Sequence, residues 1–167
     1  MHIIIGIITD MLEYNSDSVE ATKSLGLCIG SLLNGGEVIE CIGDLGGGKT
    51  TLVSGIAEGF GSRDPVSSPS FTICNVYSRS DTKQIHHFDF YRLVEPGIMK
   101  DELFEVVGDL DSVTVVEWGD SVEDVLPESR IKVKLSAVSD SNRSIKIDTS
   151  DNAFINGLKR QLMELSV

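Results

Sequence analysis

The sequence predicts an α/β fold: a central, mostly parallel sheet flanked by helices, with an antiparallel hairpin near the C-terminal end. Three observations predict it. Short apolar runs alternate with segments of helical periodicity through the first two-thirds of the chain. One of these runs leads through a glycine-rich loop straight into a helix. Two later segments alternate apolar and polar residues with a period of two, as half-exposed strands do. The 167 residues contain no internal repeat, low-complexity tract or obvious linker, so residues 1–167 read as one domain. A domain of that size buries roughly two-thirds of its unfolded surface.

The first apolar run, residues 3–8 (IIIGII), reads as a buried strand. It lacks the basic leader and small-residue cleavage site of a signal peptide and is too short to span a membrane. Residues 1–16 otherwise carry no signal of a role. Asp17, with Glu20 three residues on, predicts a capping-box start to a helix. Ala21, Leu25, Cys28, Ile29 and Leu32 then share one helical face, and Asn34, Gly35 and Gly36 stop it. Residues 37–42 (EVIECI) predict the strand that enters the glycine loop. A helix follows from Lys49, with Leu52, Val53, Ile56 and Phe60 facing inward and Gly59 and Gly61 ending it.

Residues 71–77 (FTICNVY) and 84–90 (QIHHFDF) predict the next two strands, and a short helix opens near Pro96 and runs through residues 103–107. Ser112–Glu117 (SVTVVE) has the β-branched content of a strand buried on both faces. Residues 131–135 and 144–147 alternate apolar and polar, the pattern of a hairpin. Phe154, Ile155, Leu158, Leu162 and Leu165 then mark a final amphipathic helix.

The formal charge is −12. An acidic chain repels the phosphate backbone, so broad nucleic-acid binding is not expected, and any link to RNA would run through a partner. Cys28, Cys41 and Cys74 are odd in number and lack CxxC spacing. They predict neither a disulfide framework nor a zinc site, which fits a reduced cytoplasm.

The segment Gly43, Asp44, Leu45, Gly46, Gly47, Gly48, Lys49, Thr50 fits G-x-x-x-x-G-K-[ST] at every defined position. With glycine near 7% of average usage, a chance match in such a chain is on the order of one in a hundred. Here it also sits between a predicted strand and a predicted helix. Glycines let successive N–H groups turn inward onto phosphate oxygens, and the helix adds its positive N-terminal end. Leu45, Gly46, Gly47, Gly48, Lys49, Thr50 and Thr51 are therefore the expected phosphate-binding residues, and the fold is P-loop NTPase-like. Lys49 is expected on the β- and γ-phosphates and Thr50 on Mg²⁺.

Such a loop needs acids that hold the metal and align water, placed at the end of a neighbouring buried strand. Glu117 and Asp89 both qualify. Lys49, Asp89 and Glu117 are thus the expected catalytic residues, with Thr50 and Glu117 as metal ligands. Trp118, the only tryptophan, is open to either a core or a nucleotide-sensing role. His86 and His87 point to opposite faces of a strand, so a shared ligand role is not expected and both read as structural. The hydroxyl-rich turn Ser67, Ser68, Pro69, Ser70, Phe71, Thr72, entering a strand, suits a segment that closes on the terminal phosphate.

These pieces, in this order, resemble the bacterial TsaE (YjeE) family, the P-loop ATPases of tRNA threonylcarbamoyladenosine biosynthesis. The resemblance rests on GDLGGGKTTL at residues 43–52, VSSPSFTICNVY at 66–77, HFDFYRL at 87–93, DELFEVVG at 101–108, VVEWGD at 115–120 and LPESRIKVKL at 126–135. It implies slow ATP hydrolysis in support of two partners, TsaB and TsaD, with tRNA met only through the complex and no membrane involved. It also implies that Asp89 supports the metal or water, that Ser68, Pro69 and Ser70 form the closing segment, and that the base lies near Val19 and Asn142–Arg143. Gly47, Ser70 and Gly119 stand where the family usually has alanine, threonine and proline.

Three other functions compete. A small P-loop nucleotide or metabolite kinase would need clustered lid arginines, whereas Arg63, Arg79, Arg92, Arg130, Arg143 and Arg160 are scattered. A GTP-dependent switch would need an NKxD-like motif, and none is present. A nucleotide-binding assembly protein would differ only in negligible turnover.

Overall fold

Strand β5 (Ser112–Glu117) is buried along its whole length and forms, with β2 (Val38–Ile42), the centre of a seven-stranded sheet. The computed structural model describes residues 11–93, 95 and 97–165. Around these two strands lie β1 (Met11–Ser16), β3 (Cys74–Ser78), β4 (Gln84–Asp89), β6 (Ile131–Ala137) and β7 (Arg143–Asp148), in the order β1-β7-β6-β2-β5-β4-β3. The inner pairs β6–β2, β2–β5 and β5–β4 are parallel, and the outer pairs β1–β7, β7–β6 and β4–β3 are antiparallel. The apolar run of β5 follows from helices or loops covering both of its faces. By contrast β6 and β7 alternate buried and exposed residues, because only one of their faces is covered.

Helices α1 (Val19–Leu32), α2 (Lys49–Phe60) and α4 (Asn152–Glu164) share one apolar core with the sheet through Leu25, Ile29, Leu52, Ile56, Phe154 and Leu158. A second core on the other face gathers Val38, Phe88, Val116 and Leu126 around Leu103 of α3 (Ile98–Val106). Helices α1 and α2 touch backbone to backbone. A side chain at Gly55 would come within 2.1 Å of the Lys23 carbonyl, and one at Gly59 within 2.2 Å of that of Leu27. This crossing fixes the helix that opens at Lys49.

Several expectations need correction. The N-cap of α1 is Ser18, not Asp17: Ser18 is extended and its hydroxyl accepts from the Ala21 N–H at 3.1 Å. Gly59 lies inside α2 as a packing residue, and Gly61, at φ 100°, ends the helix. Strand β3 starts at Cys74, because residues 71–73 belong to a turn closed by Ile73 N–H on the Pro69 carbonyl. Phe71 is consequently 83% exposed. Leu165 is exposed beyond the end of α4. Strand β1, which the sequence did not announce, pairs with β7 from Met11↔Asp148 to Ser16↔Arg143. The strand expected at residues 3–8 and the helix start expected at Pro96 lie outside the described residues.

Candidate functional site

The loop between β2 and α2 turns on Gly46 (φ 74°) and Gly48 (φ 99°), both in the left-handed region that residues with a side chain rarely enter. Gly48 is also the N-cap of α2 and offers no side chain to the first-turn N–H groups, which leaves them to an anion. Lys49 is 6% exposed. Its Nζ donates to the carbonyls of Gly43 at 2.8 Å and Asp44 at 3.0 Å. The same ammonium lies 3.7 Å from Glu117 Oε2 and 4.9 Å from the centre of the Trp118 ring.

Strand register brings the acids to this loop. Glu117 pairs with Cys41 of β2 on one side and with Asp89 of β4 on the other, so both carboxylates stand at the C-terminal ends of neighbouring parallel strands. A cavity of about 240 Å³ is lined by Leu45, Gly46, Gly47, Gly48, Lys49, Thr50, Thr51, Asp89 and Glu117, together with Ser68, Ser70, Tyr91 and Trp118. The residues expected on the phosphates, the metal and the water border one space, whereas Val19, Asn142 and Arg143, expected near the base, do not line it. Tyr91 was not singled out in the sequence; its ring centre lies 4.9 Å from that of Trp118. Trp118 takes the left-handed conformation (φ 58°, ψ 50°) at the head of a 3₁₀ turn, Gly119–Val122, which fixes its ring at the rim.

Each acid is held differently. Asp89 accepts from the Ser70 hydroxyl at 2.6 Å, the Ser68 hydroxyl at 3.5 Å and the Tyr91 N–H at 2.9 Å. The hydroxyl-rich segment is thus already anchored to the site. Glu117 Oε1 lies 2.9 Å from Nε2 of His87, which is fully buried. His87 therefore touches the site and is more than a core residue. The signal for it was its place two residues before Asp89, on the same face of β4. His86 faces the other way with its Nε2 buried and unpartnered, and burial holds its pKa below the ordinary value. Cys41, beneath Glu117, is fully buried, and desolvation with the nearby carboxylate pushes its thiol far above the usual range. It is no nucleophile.

No group of three or more His, Cys, Asp or Glu side chains among the described residues could hold a metal alone. Mg²⁺ on a polyphosphate takes only one or two carboxylates, with phosphate oxygens and water completing its shell. Thr50, Glu117 and Asp89, lining the same cavity as the loop, fit that requirement. Arg143 borders the loop from β7, donating to the Gly47 carbonyl at 3.2 Å. Val19, at the start of α1, is 65% exposed. No helix among the described residues is long and apolar enough to cross a membrane.

The chain matches, over residues 16–145, the family model described as threonylcarbamoyl adenosine biosynthesis protein TsaE. It is similar to the tRNA threonylcarbamoyladenosine biosynthesis protein TsaE of Bacillus subtilis, at 32% identity over 86% of this chain and 89% of that protein. The proteins of the same name from Streptomyces coelicolor and Treponema pallidum are 37% and 34% identical, over 74% and 79% of this chain and 85% and 96% of theirs. The crystal structure of Bacillus subtilis YdiB superposes with a TM-score of 0.71 at 26% identity, over 97% of this chain and all of that one.

Proposed function

We propose, from the premise that this chain belongs to the TsaE family, that it binds ATP with Mg²⁺ and hydrolyses it slowly in support of tRNA threonylcarbamoyladenosine formation by TsaB and TsaD. The observation that carries this reading is the single cavity shared by the glycine loop, Thr50, Asp89 and Glu117. In it the N–H groups of Leu45–Thr51 and the Lys49 ammonium bind the phosphates. Thr50 and Glu117 would hold the metal, and Asp89 would support the metal or water. Bound there, Mg²⁺ would neutralise charge on the phosphates. Val19, at the start of α1, and Asn142–Arg143, whose guanidinium bonds the loop backbone, would border the base, as the resemblance to the family implies.

The kinase alternative is disfavoured by where the arginines stand. Arg130 is buried on Glu40, Arg79 binds Asp81, Arg92 lies over the Phe71 ring at 4.4 Å, and Arg143 bonds the loop's own backbone. The excess of acid keeps tRNA at a distance except through the partner complex. The test is phosphate release from ATP, with GTP as competitor, in the presence and absence of TsaB and TsaD. Release dependent on Mg²⁺ and raised by the partners is expected. Phosphate transfer to a small acceptor would favour a kinase, and preference for GTP would favour a switch.

A further inference from the structure

Three neighbouring strands carry a diagonal of polar side chains across one face of the sheet and up to the site. Tyr77 on β3 is 3% exposed, His87 on β4 is fully buried, and Glu117 on β5 lies beyond them. In register Tyr77 pairs with Ile85 and His87 pairs with Val115, so each member of the diagonal stands two residues further along than its neighbour's direct partner. Such diagonal neighbours lie within reach of aromatic and other long side chains.

The contacts run without a break. The Tyr77 hydroxyl lies between the Ser67 carbonyl, at 2.9 Å, and His87 Nδ1, at 3.2 Å, and its one proton can serve either acceptor. His87 Nε2 faces Glu117 Oε1 at 2.9 Å, and since a carboxylate only accepts, the ring nitrogen is the donor. Ser67 opens the segment whose Ser68 and Ser70 hydroxyls reach Asp89. Asn75 of β3 grips Ser67 as well, its side-chain amide donating to the Ser67 carbonyl at 3.2 Å and hydroxyl at 3.3 Å. The two acids of the site are therefore tied to one segment, Asp89 directly and Glu117 through two buried rings.

We infer that His87 is a positioning residue for Glu117, and that Tyr77 couples its orientation to the Ser67–Ser70 segment. Glu117 Oε1 is held by the imidazole, which leaves Oε2 to face Lys49. A carboxylate fixed this way presents one oxygen to the metal without first losing rotamer freedom. Movement of Ser67 would be felt at Nδ1 and passed to the carboxylate through a rigid ring. The inference rests on the ATPase reading of the same cavity.

The test compares His87→Ala, His87→Gln and Tyr77→Phe with the unaltered chain. Glutamine keeps an N–H that can reach Glu117 but cannot also meet Tyr77. Phenylalanine keeps the buried ring and removes one oxygen. The measurements are melting temperature, calorimetric binding of ATP with Mg²⁺ and with EDTA, and kcat and KM for phosphate release. Loss of an orienting partner typically costs about 10- to 100-fold in metal affinity or activity. That loss is expected for His87→Ala in the Mg²⁺-dependent part of binding and in kcat, with ATP binding in EDTA and KM little changed. His87→Gln is expected to recover much of it, and Tyr77→Phe to show a smaller loss in the same two quantities. Folded variants with unaltered Mg²⁺ dependence and kcat would overturn the inference, as would failure of glutamine to rescue. If His87→Ala does not fold, Tyr77→Phe decides.

The ring N–H of His87 supplies a readout that needs no nucleotide. Buried against a carboxylate, it is expected as an exchange-protected proton resonance that shifts strongly in Glu117→Ala. A resonance unmoved by that change would overturn the contact. Absence of ATP binding in the unaltered chain, with the resonance behaving as expected, would instead remove the ATPase reading and leave the orienting contact standing.

Discussion

Glu117 and Glu40 are buried carboxylates on adjacent strands of one sheet, 3% and 4% exposed, yet they are held in opposite ways. Glu40 lines a second cavity with Gly43, Asp44 and Trp118 and accepts from Arg130 Nε at 2.7 Å. That guanidinium also donates to both oxygens of Glu123, at 2.6 and 2.7 Å, and to the Pro127 carbonyl. Four of its five N–H donors are engaged within the cluster. Glu117 has one imidazole contact and an ammonium at 3.7 Å that is itself shared with two loop carbonyls. Burial alone does not distinguish a structural acid from a working one. What distinguishes them is the partner and the space they border: Glu40 is ion-paired to a guanidinium at 2.7 Å, whereas Glu117 borders the cavity of the glycine loop beside Lys49.

The comparison can be broken by removing one partner from each side. Arg130→Met strands a buried charge at Glu40 and is expected to cost about 3–5 kcal/mol of stability. Urea unfolding would read this, while ATP affinity per folded molecule stays near that of the unaltered chain. A paired Glu40→Leu, Arg130→Met change should recover most of the loss, since a well-packed apolar pair often replaces a buried ion pair without penalty. Glu117→Gln is expected to do the reverse, with unfolding changed little and turnover reduced about 10²- to 10³-fold, the scale of losing one preorganised electrostatic contact. If Glu117→Gln instead destabilised as much as Arg130→Met and lost binding and turnover together, the two acids would be alike and both structural.

A smaller effect sharpens the contrast between the two histidines. Nε2 of His86 has no hydrogen-bond partner, and burial lowers the ring's pKa from its ordinary 6.5 against the opposing pull of the Asp109 carboxylate. The folded state thus binds fewer protons than the unfolded one as the pH falls. Stability from neutral His86 is complete above about 6.5 and declines from there down through the lowered native value. His86→Phe should flatten that part of the stability–pH curve, and an unchanged slope would place the titration elsewhere.

The parts legible in the sequence are those set by local spacing. The glycine loop, the β-branched run of β5 with its terminal acid, and Asp89 at the end of β4 each carry their signal within a few residues, and residues 45–51, Glu117 and Asp89 line the cavity. The parts that were not legible depend on register between distant segments. His87 meets Glu117 thirty residues away, and Arg130 meets Glu40 ninety away. Period alone says which face a residue takes, but not which side chain stands diagonally opposite. β1 was missed for the same reason: its pairing with β7 closes the sheet across almost the whole chain. The start of β3 was misplaced because the turn that anchors Ser70 to Asp89 takes up residues that would otherwise extend the strand.

Calorimetric titration of ATP with Mg²⁺ into the unaltered chain and into Lys49→Ala tests the cradle most directly. The ammonium–phosphate contact is charge-assisted and contributes about 1.5–3 kcal/mol. Single-site binding in the unaltered chain, weakened at least about tenfold by the substitution, is the expected result. Equal affinity in the two proteins, or no binding in either, would contradict a phosphate-binding role for residues 43–50.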